Sequence, residues 1–153
     1  MEGAVAGDLI GTIVDEVDFA VERGKIQEFA RATYTKDLVH TDHEAAREAG
    51  ADDLLATPTH SVVAGHHRDQ RGFVDKLGLA LERVVVGSVK WQYFHPLQAG
   101  DSVRGVRSVV GDERRESRRG GSMRMVTLET EFVDTTGETL LRQQEVLIER
   151  EER

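Results

Sequence analysis

Cysteine is absent from the 153 residues. That excludes disulfides, thiolate metal sites and a cysteine nucleophile. No stretch approaches the roughly 20 consecutive apolar residues of a membrane-spanning helix, so no membrane segment is expected. The opening MEGAVAGDLIGTIV has neither a basic flank nor an apolar run of signal length, which predicts a cytoplasmic protein. An excess of positive charge is also missing. Lys and Arg number 20 against 28 Asp and Glu, for a net charge of −8. A chain so acidic is not expected to bind nucleic acid or an anionic membrane surface. Its one basic concentration, ERRESRRGGSMR (113–124), mixes glutamates and glycines with the arginines. That composition reads as a hairpin loop, with a phosphate-binding rim as the functional alternative.

What remains is enough for one ordinary domain with a real apolar core. Residues 9–19, LIGTIVDEVDF, alternate well enough for a first strand. VERGKIQEFARAT (21–33) places Val21, Ile26, Phe29 and Ala30 at helical spacing. A short helix follows in DHEAAREAG, capped by Asp42 or Thr41 and stopped by Gly50. The spacing then predicts a long central helix over 58–77. Thr57 is its expected N-cap, Pro58 lies in its first turn, and Val62, Val63, Phe73, Val74 and Leu77 form its buried stripe. From residue 83 the period changes to two. Strands are predicted at 83–94, 102–110, 122–134 and 138–150, with GDERRESRRGG and TTGE as the turns of an antiparallel meander. One strand, helices and then four strands is an α+β pattern, a helix packed on an antiparallel sheet.

Two stretches carry a family pattern. In YFHPLQAGDSV (93–103), an aromatic, a proline and an aliphatic lead to Gly100 and Asp101 at a strand start. In VHTDHEAAREAG (39–50), an aliphatic, His40, any residue and Asp42 precede an alanine-rich helix ending in Ala-Gly. Both stretches, and the order of elements along nearly the whole chain, resemble the MaoC-like dehydratase family, a branch of the hot-dog fold. The resemblance implies a curved antiparallel sheet wrapped around a central helix. It also implies pairing of two such folds, as a homodimer or with a homologous hot-dog chain. The substrate it implies is an acyl thioester of CoA or of an acyl-carrier protein, with no further cofactor. The implied reaction is reversible hydration of an enoyl thioester, or dehydration of its (3R)-hydroxyacyl form. That chemistry needs an imidazole and a carboxylate around one water. It also needs N–H groups at a helix start to polarise the thioester carbonyl.

His40 is the candidate imidazole. Ungapped alignment on His40 puts Thr35 where the family has its catalytic aspartate, and threonine does not ionise in the working range. A shortened loop would let Asp37 serve instead, so His40 and Asp37 form the candidate catalytic pair. At the central helix the family's His-Gly pair is replaced by Thr57 and Pro58. Proline has no N–H to donate, so Thr59, His60 and Ser61 are the candidate substrate-binding residues. Three readings stay open: a hydratase using His40 and Asp37; an acyl-thioester-binding subunit beside a catalytic hot-dog chain; and a hot-dog thioesterase using Asp69 or Asp75. His40, His43, His66 and His67 do not form a recognised zinc spacing, so no metal is expected. Trp91, with Lys90 and Gln92 on either side, reads as a core or interface residue.

Overall fold

The structure, a computed structural model, describes residues 8–116 and 120–150. The opening residues of the expected signal-free N-terminus, and residues 117–119 of the basic turn, lie outside this range. Five strands form one antiparallel sheet: β1 (Ile13–Ala20), β2 (Val84–Tyr93), β3 (Ser102–Glu116), β4 (Ser122–Val133) and β5 (Thr139–Arg150). Their spatial order is β1-β3-β4-β5-β2. The last three strands are the expected meander. β1 and β2 flank it, pairing as Phe19↔Val103 on one side and Tyr93↔Leu141 on the other. The TTGE turn is closed by Asp134, whose carboxylate accepts the N–H groups of Thr136 (2.8 Å) and Glu138 (3.0 Å).

Alternation puts one face of the sheet against the helices. On β3, Val103, Arg107 and Val109 are buried; on β4, Val126, Leu128, Thr130 and Phe132. Gly105 leaves room for Phe132, since a Cβ there would sit 2.9 Å from its ring. Helix α1 (Arg23–Ala32) buries Ile26 and Ala30 as its spacing requires. Helix α2 (His43–Glu48) is capped by Asp42, whose carboxylate accepts the Ala45 N–H at 2.8 Å. It stops at Gly50, which takes the left-handed conformation (φ 89°) that a side chain would strain.

The central segment departs from expectation. Residues 58–77 are not one helix. A 3-10 helix covers His60–His67, the chain extends at Arg68, and a short helix α3 covers Gly72–Lys76. Two features break the run. Gly65 and Gly72 are weak helix formers, and Asp69 turns its carboxylate onto the N–H groups of Arg71 (3.2 Å) and Gly72 (2.9 Å). Thr57 does not cap: its hydroxyl is buried and has no hydrogen-bond partner among the described residues. Val62 also leaves the expected stripe and is exposed, while Val63, Val74 and Leu77 are buried.

Where the segment breaks, Arg68 drops onto the sheet, 3.3 Å from Asp15 and 3.5 Å from the Thr130 hydroxyl. Beside it Arg107 binds Asp15 and Glu145 (3.0 Å) and lies 4.0 Å from the Phe73 ring centre. These charges form a polar belt across the sheet. One apolar cluster, containing Phe19, Ile26, Leu97, Phe132 and Leu141, lies on one side of it. A second, containing Val14, Val74, Leu77, Leu128 and Leu147, lies on the other. Of the basic stretch 113–124, Arg124 points inward. It makes a two-pronged pair with buried Asp112 (2.9 and 2.8 Å) and donates to the Leu77 carbonyl (3.0 Å).

Candidate active site

His40 ends a single 3-10 turn, Leu38–His40, held at its start by Asp37. The Asp37 carboxylate accepts the Val39 N–H at 3.2 Å and is exposed. The His40 ring is buried, with Nδ1 2.6 Å from the Leu55 carbonyl oxygen. Leu55 in turn donates its N–H to the Val39 carbonyl at 3.0 Å. Main chain and side chain together therefore stitch this turn to Leu55. With Nδ1 donating, Nε2 is the acceptor of the neutral ring. Asp37 and His40 share one turn, yet among the described residues no carboxylate is hydrogen-bonded to the imidazole. Thr35, at the family's aspartate position, pairs its hydroxyl with that of Thr33 at 2.9 Å.

Leu55 leads directly into a cavity wall. Ala56 donates to the Leu97 carbonyl at 2.8 Å, and the two strips flank an open, mostly apolar cavity of about 330 Å³. It is lined by Ala56, Thr57 and Pro58 on one side, Phe94, His95, Pro96 and Leu97 on another, and Tyr93 and Leu141 from paired strands. His95 Nε2 lies 3.0 Å from a Glu138 carboxylate oxygen. The Tyr93 hydroxyl donates to the Pro58 carbonyl at 2.6 Å and ties the start of the central segment to β2. Burial pushes the Tyr93 phenol above its ordinary pKa.

The three expected substrate contacts lie just past this wall. Thr59 is half-buried at the head of the 3-10 helix. His60 is fully buried, edge-on to Phe29 with 5.6 Å between ring centres, and neither ring nitrogen has a partner among the described residues. Burial, and secondarily the charge of Lys25, pushes its pKa below the ordinary histidine value. Ser61 is buried within a hydrogen-bonded set. It accepts from Trp91 Nε1 (3.3 Å) and donates to Gln143 Oε1 (3.3 Å). The cavity wall is thus made by Thr57 and Pro58 rather than by residues 59–61. Sequence reasoning passed over Gln143; its signal was a glutamine two residues from Leu141 on the core-facing period of β5.

The remaining candidates are occupied or exposed. His43 lies 3.8 Å from Asp53, which Arg23 binds from the other side and holds well below the usual carboxylate range. Asp69 caps α3, and Asp75 is exposed on it. Among the described residues no group of three or more His, Asp or Glu is placed to hold a metal ion. Nor is any helix among them long and apolar enough to cross a membrane.

The sheet order and the segment it wraps define a hot-dog fold of the MaoC-like dehydratase type. The model of the FAS1-like, dehydratase domain region matches residues 8–143, and the chain belongs to that family. A UPF0336 protein of Thermobifida fusca is 32% identical over 139 residues, covering 86% of this chain and 84% of that protein. One of Saccharopolyspora erythraea is 33% identical over 133 residues, covering 86% and 82%. Among solved structures, the HadBC (3R-hydroxyacyl-ACP dehydratase) complex of Mycobacterium tuberculosis superposes with a TM-score of 0.75 at 23% identity, over 94% of this chain and 99% of that one. A MaoC-like dehydratase superposes with a TM-score of 0.80 at 19% identity, over 93% of this chain but 42% of the other.

Proposed function

We propose that this chain is the pocket-forming subunit of a two-chain acyl-thioester dehydratase or hydratase, and that the water-activating groups come from a homologous hot-dog partner. One observation carries the reading. The candidate imidazole is seated and oriented, but the only carboxylate on its turn is exposed and spent on capping Val39. Two further features support it. Pro58 stands where the family draws an N–H for the thioester carbonyl, and it has none. The mostly apolar walls of the cavity, with His95 as their one imidazole, suit a hydrocarbon.

In the reaction so assigned, the oxygen of water bonds to Cβ of the enoyl thioester. One proton of that water passes to a base, and a proton is delivered to Cα; dehydration runs the same bonds backwards. This chain holds the acyl group. His40 acts as a positioning residue by fixing Leu55, the residue before the cavity wall. The thioester is carried by CoA or an acyl-carrier protein, in the cytoplasm.

The resemblance in complexes extends the argument. HadBC and ChsH1-ChsH2, both of which this chain resembles in fold, are described as complexes of two differently named chains. The exposed valines of β2, Val85, Val86 and Val89, offer an edge that a second hot-dog sheet would cover.

Substitutions test the roles. In the reconstituted pair, Asp37→Asn is expected to leave kcat within about threefold. His40→Ala is expected to raise KM more than it lowers kcat. Removing a true general acid or base costs about 10²–10⁴ in rate. A loss of that size in kcat for both variants would make His40 and Asp37 the catalytic pair and overturn the subunit reading. That second reading has one point in its favour: the two residues share a single turn, with His40 N–H 3.4 Å from the Asp37 carbonyl. Release of free thiol from an acyl-CoA, in place of hydration, would favour a thioesterase.

A further inference from the structure

Beyond the residues that line the cavity, the same two strands and the central segment carry a polar set, Trp91, Ser61 and Gln143. Tyr93 and Leu141 line the cavity and face each other across β2 and β5. In a strand the side chain two residues along points to the same face. One rung inward, the facing pair is Trp91 and Gln143. The third side is built the same way. Pro58 lines the cavity, and Ser61 follows it three residues later, in the first turn of the 3-10 helix that starts at His60. So each of three cavity walls continues inward to one member of a hydrogen-bonded set.

Those three side chains are joined to one another. Trp91 Nε1 donates to the Ser61 hydroxyl, and that hydroxyl donates to Gln143 Oε1, at 3.3 Å in each case. Ser61 is 1% exposed and Gln143 8%, while Trp91 is half-buried. Behind it, the next rung pairs Val89 with Glu145, and Glu145 is held by Arg107 at 3.0 Å. A hydrocarbon tail extending past Gln143 would meet that ion-paired belt, and stripping water from those charges without new polar partners is unfavourable.

We propose that Trp91, Ser61 and Gln143 form the floor of the acyl pocket and restrict this chain to short acyl groups. The proposal rests on the acyl-pocket reading above and adds to it a substrate class and the residues that set it. It also gives Ser61 a different task from a substrate contact: its hydroxyl is consumed in holding the floor. The cavity volume agrees, since about 330 Å³ lies at the small end of the range for small-molecule sites, roughly 300–1,000 Å³.

Trp91 is the only tryptophan in the chain, so its fluorescence reports on the floor directly. The experiment titrates butyryl-, octanoyl- and lauroyl-CoA into the full chain and into Gln143→Ala, reading Trp91 emission. The native chain is expected to bind butyryl-CoA at least about tenfold more tightly than octanoyl-CoA. Gln143→Ala is expected to raise octanoyl relative to butyryl affinity by about tenfold, since each further buried methylene is worth roughly fourfold in binding. Gln143→Ser, which shortens the side chain but keeps a hydroxyl for Ser61, is expected to shift the ratio the same way. It serves where the alanine variant melts early. Equal butyryl and octanoyl binding by the native chain, or a ratio unmoved by both variants, overturns the floor and leaves the acyl-pocket reading standing. No saturable binding of any of the three thioesters overturns both.

Discussion

His40 Nδ1 lies 2.6 Å from the carbonyl oxygen of Leu55, fifteen residues away along the chain. This bond fixes the imidazole against the strip that becomes the cavity wall. Removing the ring leaves the Leu55 carbonyl unpaired. His40→Ala is therefore expected to cost about 1 kcal/mol of stability, the low end of the penalty for an orphaned acceptor, since Leu55 is half-buried. Urea unfolding checks this. A change below about 0.5 kcal/mol would mean that water replaces the ring without cost.

His60 gives the fold a predictable weakness in acid. It is fully buried with no partner for either nitrogen, and its pKa is lowered by burial first and by Lys25 second. A histidine lowered in the folded state takes up its proton more readily when unfolded. Stability is then unaffected above the ordinary histidine pKa of about 6.5 and declines as pH falls below it. Thermal melts between neutral pH and pH 5 are expected to show that decline in the native chain. His60→Leu is expected to flatten it. An unchanged slope in the variant would assign the acid sensitivity to other groups.

The Asp112–Arg124 pair is a second test of the core. Both side chains are buried and bonded at two points, and Arg124 also supports the end of α3 through Leu77. Arg124→Ala takes a two-pronged partner from a buried carboxylate and is expected to cost about 3–5 kcal/mol. The double variant Arg124→Met with Asp112→Leu removes both charges together and is expected to cost much less. Equal losses in the single and double variants would show that shape, not charge, is what the pair supplies.

β2 is the edge on which association depends in this account. Val85, Val86 and Val89 are all more than a third exposed on it, an unusual run of bare β-branched residues on an unpaired edge. Val86→Lys combined with Val89→Lys is expected to weaken association with a second hot-dog chain at least about tenfold. Sedimentation velocity measures it, with melting temperature as the control for folding. Unchanged association would move the interface elsewhere on the protein.

How much of this could be read from residues alone varied with the physics. Strands β4 and β5 were legible almost to the residue because a half-buried strand alternates with a period of two. The Asp42 cap and the Gly50 stop were legible for the same local reason. β3 ran six residues beyond its predicted end at residue 110, through Glu116, because Asp112 finds buried Arg124 across the hairpin and makes a charged stretch into core strand. The continuous central helix that the spacing predicts is two separate elements in the structure. The apolar spacing of Val63, Val74 and Leu77 was real, but Asp69 capping and the Arg68 descent to Asp15 are tertiary effects that periodicity does not carry. At the site, His40 was legible through its motif. The Trp91–Ser61–Gln143 set was not, since it joins residues up to 82 apart in sequence.

The central claim is that this chain forms an acyl pocket without completing the chemistry by itself. The direct measurement is the rate of crotonyl-CoA hydration by the purified chain alone, and again after mixing with a homologous hot-dog chain that carries the family's Asp and His. The account predicts no turnover above the uncatalysed rate for the chain alone, and turnover on mixing that exceeds what the partner shows without it. Turnover by the chain alone, lost on His40→Ala and on Asp37→Asn but kept in Thr35→Val, would contradict it.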